Sequence, residues 1–256
     1  MNVIDVCNRS CVFCPKADPV LYPNNPIAWM DIGSATRLAK TTAAMDFAGV
    51  YSISGWGEPL LHKQLEDIVA SLKTWNPHAT VEVQTNGDPL SIQRMQTLCN
   101  AGVDQLVINL YDGPEQADAF VQMERDADVF DGFITLQHKY HKEASYGMIL
   151  NNRAGVLAVL KEPLNESCYI PFYKIMVDWN LDVYFCDYDW AKRVLLGDLH
   201  TTEMVDVWMS PTMKTIRENL FKGNRNLTAC QFCNAKGTLY GKKQADIIMQ
   251  HYKEQT

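Results

Sequence analysis

The 256-residue chain has no long apolar run. Its longest apolar stretches, such as Asp104 to Tyr111, are strand-length and broken by polar residues, far short of the ~20 residues that a spanning helix needs. A secretory leader is not expected either: Met1 to Ser10 carries Asp5 and Arg9 and holds no seven-residue apolar core, which makes the cytoplasm the expected compartment. Positive charge is scarce, with 23 Lys and Arg against 30 Asp and Glu for a net charge of −7. The basic residues are scattered rather than striped, so neither nucleic acid nor a membrane is an expected partner. Internal repeats and low-complexity segments are absent. At 47% hydrophobic and 21% charged residues, the composition excludes a disordered chain, a collagen-like repeat and a coiled coil. The length fits one large domain, or one domain plus an appendage.

What is present is a rhythm. From Met1 to about Glu162, short β-rich runs alternate with helical stretches: Asn2 to Val6, Val50 to Ser54, Thr80 to Thr85 and Gln105 to Leu110 read as strands. Ile32 to Phe47, Leu61 to Trp75 and Leu90 to Asn100 read as helices, Pro114 opens another, and a last strand or two should lie between Phe133 and Leu150. Strict alternation implies right-handed parallel crossovers, which build either a doubly wound sheet or a full or partial βα barrel. Functional residues then belong in the turns after the strands. Beyond Glu162 the rhythm breaks. Tyr173 to Val177 and Val183 to Cys186 look like a hairpin turned at Trp179-Asn180, followed by helical stretches around Met204 to Met209 and Met213 to Lys222, a Cys-x-x-Cys and a polar tail. The expected domains are 1–162 and 163–256.

Eight cysteines in a chain without an expected leader point to metal binding or catalysis rather than disulfides. Cys7, Cys11 and Cys14 share one loop directly after the first strand. Three thiolates so close can converge on zinc or on an iron–sulfur centre. Structural zinc wants four ligands, and no fourth Cys or His lies near this loop. A 4Fe–4S cluster held by three thiolates leaves one iron open for chemistry. Cys168, Cys186, Cys230 and Cys233 form a second set, with 17 residues between the first pair and 43 between the middle pair. From spacing alone, these four fit a structural zinc ribbon as well as a fully ligated cluster. Cys99 remains, at a helix end, and reads as a small packing residue.

Cys7-Asn8-Arg9-Ser10-Cys11-Val12-Phe13-Cys14, with an aromatic residue before its last cysteine, resembles the signature of the radical S-adenosylmethionine (SAM) superfamily. Two further pieces sit at successive strand ends. Gly55-Trp56-Gly57-Glu58-Pro59 is similar to the family's Gly-Gly-Glu-Pro motif, with Trp56 in place of the first glycine of the pair, and Thr85-Asn86-Gly87 is similar to a turn lining the SAM pocket in relatives. Each piece alone is also an ordinary turn. The resemblance implies a partial (β/α)6 barrel, a 4Fe–4S cluster on Cys7, Cys11 and Cys14, and SAM bound by Phe13, Gly57, Glu58, Pro59 and Asn86.

The second cysteine set, with its hairpin, Gly197-Asp198-Leu199 and Asp206-Val207-Trp208, resembles the family's auxiliary-cluster modules called SPASM and, in shortened form, twitch. Four cysteines are too few for the two clusters of SPASM, so the resemblance implies a small α+β twitch domain with one 4Fe–4S cluster on Cys168, Cys186, Cys230 and Cys233. A radical SAM enzyme abstracts a hydrogen atom with a 5′-deoxyadenosyl radical and draws electrons from a reducing partner such as flavodoxin or ferredoxin. A fully ligated auxiliary cluster suits electron acceptance, hence oxidation of a secondary alcohol of a cyclitol, amino sugar or related polyol, as in antibiotic biosynthesis. Arg153, in Asn152-Arg153-Ala154-Gly155, matches a substrate-site arginine of a dehydrogenase member and is the expected catalytic residue. His138, His141 and Tyr111-Asp112-Gly113 are weaker substrate candidates, with solvated turns as the alternative. A carbohydrate epimerase remains open and would need a hydrogen donor, for which Cys99 is the spare thiol. A peptide-modifying enzyme is the lesser alternative, because such members often carry an extra amino-terminal domain and only six residues precede Cys7.

Overall fold

The computed structural model describes residues 1–11, 14–17, 28–139, 153–156, 164–237 and 239–254. The chain divides into two units: Met1–Arg9, Pro26–Ile149 and Asp178–Asn180 form the first, and Ser10–Asn25, Leu150–Val177 and Leu181–Thr256 form the second. The expected boundary between residues 162 and 163 lies outside the described residues.

In the first unit, four strands form a parallel sheet in sequence order: β1 (Val50–Ile53), β2 (Thr80–Thr85), β3 (Gln105–Leu110) and β4 (Ile134–His138). Helices α1 (Ile32–Ala43), α2 (Leu65–Trp75), α3 (Ile92–Ala101) and α4 (Glu115–Asp126) precede or connect them. Apolar periodicity explains both element types. In α2, Leu65, Ile68, Val69 and Leu72 fall at i, i+3, i+4 and i+7 and are all buried. In β2, every second residue, Val81, Val83 and Thr85, is buried. The ends are set by caps: Asp31 Oδ1 accepts the Ser34 N–H at 2.9 Å, Ser91 Oγ accepts the Arg94 N–H at 3.1 Å, and Gly102 closes α3 at φ +104°.

Three expectations shift. Helix α1 stops at Ala43 instead of Phe47, and Asp46 adopts φ +51°, which no helix continues through. Pro59–Leu61 forms a separate 3-10 turn, so α2 begins at Leu65 rather than Leu61. Asn2 to Val6 makes only an isolated bridge, Ile4 to Trp29, instead of a regular strand. Its backbone groups are nevertheless used on both sides. Asp5 N–H donates to Ala28 O and Met30 N–H to Val3 O, both at 2.8 Å, while Ser54 N–H donates to Met1 O at 2.9 Å and Glu58 N–H to Val6 O at 2.8 Å. The segment after Lys139 in which a further strand was expected, residues 140–150, lies outside the described residues.

The second unit holds a small antiparallel sheet, β5 (Met176–Val177), β6 (Asp182–Tyr184) and β7 (Leu195–Asp198), in that order. The expected hairpin is present, with Asp178 to Leu181 as its connection. Helices α5 (Met204–Trp208) and α6 (Pro211–Phe221) follow, α6 capped by Ser210. The expected polar tail is instead a 16-residue helix, α7 (Leu239–Glu254). Ala245, Met249 and Tyr252, spaced four and three apart, pack with Phe172 in a buried cluster. Tyr252 Oη accepts from the buried Arg217 guanidinium at 2.8 Å, so α7 is tied to α6.

Candidate functional site

The turn after β1 is built around Gly57 and Glu58. A Cβ on Gly57 would collide with the Ile4 carbonyl oxygen and come within 2.8 Å of Val6 O, so only glycine lets the amino-terminal segment pass. Trp56, in place of the first glycine of the motif, does not need a left-handed conformation. Its side chain is buried, and its backbone N–H donates to Asn2 Oδ1 at 3.1 Å. Glu58 is 2% exposed. Its Oε1 accepts from Leu60 N–H at 2.9 Å and Thr85 Oγ1 at 2.7 Å, and its Oε2 accepts from Asn86 N–H at 2.8 Å. Burial pushes its carboxyl above the usual range against the pull of these three donors. Pro59 opens the 3-10 turn that Glu58 caps.

Asn86, at the end of β2, turns its side-chain amide toward the first cysteine loop. Nδ2 donates to Asn8 Oδ1 at 2.8 Å and lies 3.8 Å from Cys7 Sγ, while Oδ1 accepts the Asp88 N–H at 2.9 Å. Composition and motif reading missed the neighbouring clamp. Arg9, inside the cysteine motif, reaches Asp88 at 2.5 and 2.6 Å and Asp112 at 2.6 and 2.7 Å, a bidentate pair to each carboxylate. Its guanidinium also lies 5.4 Å from the Tyr111 ring centre. Asp88 follows the Thr85-Asn86-Gly87 turn and Asp112 follows β3, which was the sequence signal available.

In the second unit, Cys168, Cys186, Cys230 and Cys233 are buried and line one small cavity together with Arg225 and Asp189. All eight cysteines of the chain are free thiols. Burial, with the neighbouring Cys168 and Cys233 thiols adding to it, pushes the Cys230 thiol up to about 12; burial also raises Cys168 and raises Cys186 strongly. Metal binding would displace these protons. Two backbone donors already face the sulfurs at 3.4 Å, Tyr188 N–H to Cys186 and Ala235 N–H to Cys233. Four thiols around an enclosed space, with N–H···S contacts in place, fit a fully ligated cluster.

Cys11 and Cys14 belong to the second unit and Cys7 to the first. Cys14 N–H donates to Cys11 O at 2.8 Å. Burial raises the Cys14 thiol and the nearby Arg153 guanidinium opposes it. Arg153 stands in the left-handed region at φ +50°, with Ala154 at +54° and Gly155 at +83°. Two non-glycine residues in that conformation cost of order 1–2 kcal/mol each. The turn is held by Arg193 Nη1, which donates to Ala154 O at 2.7 Å. Arg153 faces the rings of Tyr188 and Trp190 at 5.6 and 5.8 Å, two aromatic residues that motif reading had not singled out. Phe13, Asn152 and His141 lie outside the described residues. His138 is exposed at the end of β4, and Cys99 is half-buried on α3.

A parallel α/β sheet with its polar turns at the strand ends, joined in sequence to a four-thiol cavity, is the plan of an iron–sulfur protein. The Radical SAM superfamily profile matches residues 1–150, and that of an iron–sulfur cluster-binding domain, SPASM, matches residues 168–234. The chain belongs to the Radical SAM superfamily. It is 26% identical over 252 residues to the S-adenosyl-L-methionine-dependent 2-deoxy-scyllo-inosamine dehydrogenase of Niallia circulans, covering 97% of this chain and 96% of that protein. It is 25% identical over 201 residues to the GTP 3′,8-cyclase of Mycobacterium marinum, covering 77% of this chain and 53% of that protein. Among solved structures, BtrN in complex with AdoMet and 2-DOIA superimposes with a TM-score of 0.78 at 26% identity, covering 91% of this chain and 90% of that one. The protein is a radical SAM enzyme with 4Fe–4S clusters and SAM as cofactors, and its fold is the α/β radical SAM type followed by a twitch domain. No helix among the described residues is long and apolar enough to cross a membrane.

Proposed function

We propose that the protein oxidises a secondary alcohol of a cyclitol, amino sugar or related polyol to a ketone. The observation that carries this reading is the closed four-thiol cavity. With all four ligand positions on protein, a cluster there has no place to bind substrate and serves to take up an electron. Similarity over nearly the full length of a 2-deoxy-scyllo-inosamine dehydrogenase supports the same chemistry. When bound, SAM and the first cluster supply a radical able to remove a hydrogen atom from an unactivated carbon. The substrate then loses its hydroxyl proton and one further electron, completing a two-electron oxidation.

The chain's own residues orient and exclude water. Cys7, Cys11 and Cys14 hold the first cluster, and Cys168, Cys186, Cys230 and Cys233 hold the auxiliary one. Phe13, Gly57, Glu58, Pro59 and Asn86 form the SAM site, where Glu58 Oε2 keeps one acceptor position beyond its bond from Asn86. Arg153 is permanently charged and holds the substrate oxygen as its acidity rises, without acting as a base. Its closeness to both Cys14 and the Tyr188 ring supports that role. Residues 1–162 serve as the barrel and 163–256 as the twitch domain, acting on a cytoplasmic small molecule with flavodoxin or ferredoxin as reductant. Anaerobic reconstitution followed by incubation with aminocyclitols and related polyols tests the reading. A ketone formed with SAM cleavage is expected. SAM cleavage triggered only by peptides, with no ketone from any polyol, would contradict it.

A further inference from the structure

Arg225 is a buried cation that hydrogen-bonds no carboxylate among the described residues. It is 5% exposed, and its three donor bonds all end on backbone carbonyl oxygens: Nε to Glu166 at 2.7 Å, Nη1 to Cys233 at 3.4 Å and Nη2 to Ala235 at 2.9 Å. The Glu166 carboxylate is exposed and bonded by Lys236 at 2.8 Å, so it meets Arg225 only through space. A guanidinium stays charged in any protein environment, and burying it without a counter-charge is costly. An anionic cluster on the four cysteines would stand beside it. Arg225 lines the cavity of Cys168, Cys186, Cys230 and Cys233. Its bonds also span the ligand segments, since Glu166 lies two residues before Cys168 and Ala235 two after Cys233.

We propose that Arg225 is a positioning residue of the auxiliary cluster that, through its buried charge, raises the cluster's reduction potential. This rests on the reading of that cavity as a cluster that accepts the substrate's electron. The physical reason is direct: the reduced cluster carries one more negative charge than the oxidised one, and a cation fixed in a low-dielectric wall favours the more negative state. Asp189 lines the same cavity with the opposite sign, but it stays in place in the variants below and cancels from the comparison. Arg225 therefore tips the auxiliary cluster toward accepting one electron as the substrate radical loses its proton.

The test uses the full chain with Cys7, Cys11 and Cys14 replaced by Ala, so that the auxiliary cluster is the sole paramagnetic centre. Arg225→Met and Arg225→Lys are made in that background, iron is counted, and the potential is read by redox titration followed by electron paramagnetic resonance. Arg225→Met is expected to keep about four irons and to lower the potential by at least about 59 mV, a tenfold loss in the equilibrium constant for a one-electron step. Arg225→Lys, which keeps the charge, is expected to hold its potential within half that shift. An unchanged potential in a loaded Arg225→Met chain would overturn the proposal, as would a Lys variant that falls as far as the Met variant. If Arg225→Met cannot hold iron, the Lys variant decides alone by the same criterion. Loss of the cluster from both variants contradicts a role of charge, because Lys retains it. A background chain that itself binds no iron would count against the cavity as a cluster site, which separates that failure from a failure of the proposal.

Discussion

Glu58 Oε2 accepts the Asn86 backbone N–H at 2.8 Å, so one buried carboxylate joins the turn after β1 to the turn after β2. Replacing Glu58 with Gln puts an amide N–H₂ against one of three donors that now point at the carboxylate. SAM affinity of Glu58→Gln, measured by calorimetry, should fall ~10-fold or more, in line with the ~1.5–3 kcal/mol of a hydrogen bond to a charged group. Burial raises the Glu58 carboxyl above its ordinary 4.5. A raised acid stabilises the fold below its unfolded value, and that stabilisation is lost as pH rises through the folded value. Urea unfolding across that window should show a decline in the parent chain that Glu58→Gln lacks.

Gly57 tests the same turn from the backbone side. Since a Cβ there would enter the Ile4 and Val6 carbonyls, Gly57→Ala should destabilise the first unit by about 1–3 kcal/mol, the usual cost of forced overpacking. Chemical denaturation monitors it. A stability unchanged within error would mean that the amino-terminal segment does not run where it is described.

Arg9 ties the first cysteine loop to Asp88 and Asp112. The pairs are partly exposed, so Arg9→Met should cost only about 1 kcal/mol of stability, while the looser loop should shed first-cluster iron during gel filtration. Arg9 holds the Asp112 carboxyl below its ordinary 3.8. That contribution is present above 3.8 and is lost as pH falls through the lowered folded value, so the stability gap between parent and variant should close in strong acid.

Two clusters require about eight irons and eight sulfides per reconstituted chain. The variant with Cys7, Cys11 and Cys14 all replaced by Ala should retain about four irons and lose SAM cleavage. A chain that keeps eight irons after these replacements would remove the first motif from cluster binding.

Much of this was legible because the informative residues mark turns. Gly57, Glu58, Pro59, Asn86 and the cysteines sit where strict alternation of strand and helix ends its strands, and spacing alone distinguishes three thiols from four. What was not legible depended on distance across the chain. Arg9 meets Asp88 and Asp112 across 79 and 103 residues, and no local pattern announces such a pair. Arg153 gathers Tyr188 and Trp190 in the same way. Helix α7 was misread as a tail for a different reason: its apolar stripe is thin, with Ala245 among its members, and Lys242, Lys243 and Gln244 dilute the periodic signal. The packing of Tyr252 and Met249 on Phe172 supplies what local pattern did not.

A single-turnover experiment in deuterated water with an accepted aminocyclitol or polyol separates oxidation from hydrogen return. Oxidation needs no hydrogen donor, so each SAM consumed should give one ketone and one 5′-deoxyadenosine bearing a substrate hydrogen, with no solvent deuterium fixed at carbon. Cys99→Ser, which alters a half-buried thiol on α3, should turn over as the parent does. A product that retains its alcohol and carries one solvent deuterium at carbon, together with a dead Cys99→Ser variant, would contradict the dehydrogenase and establish an epimerase.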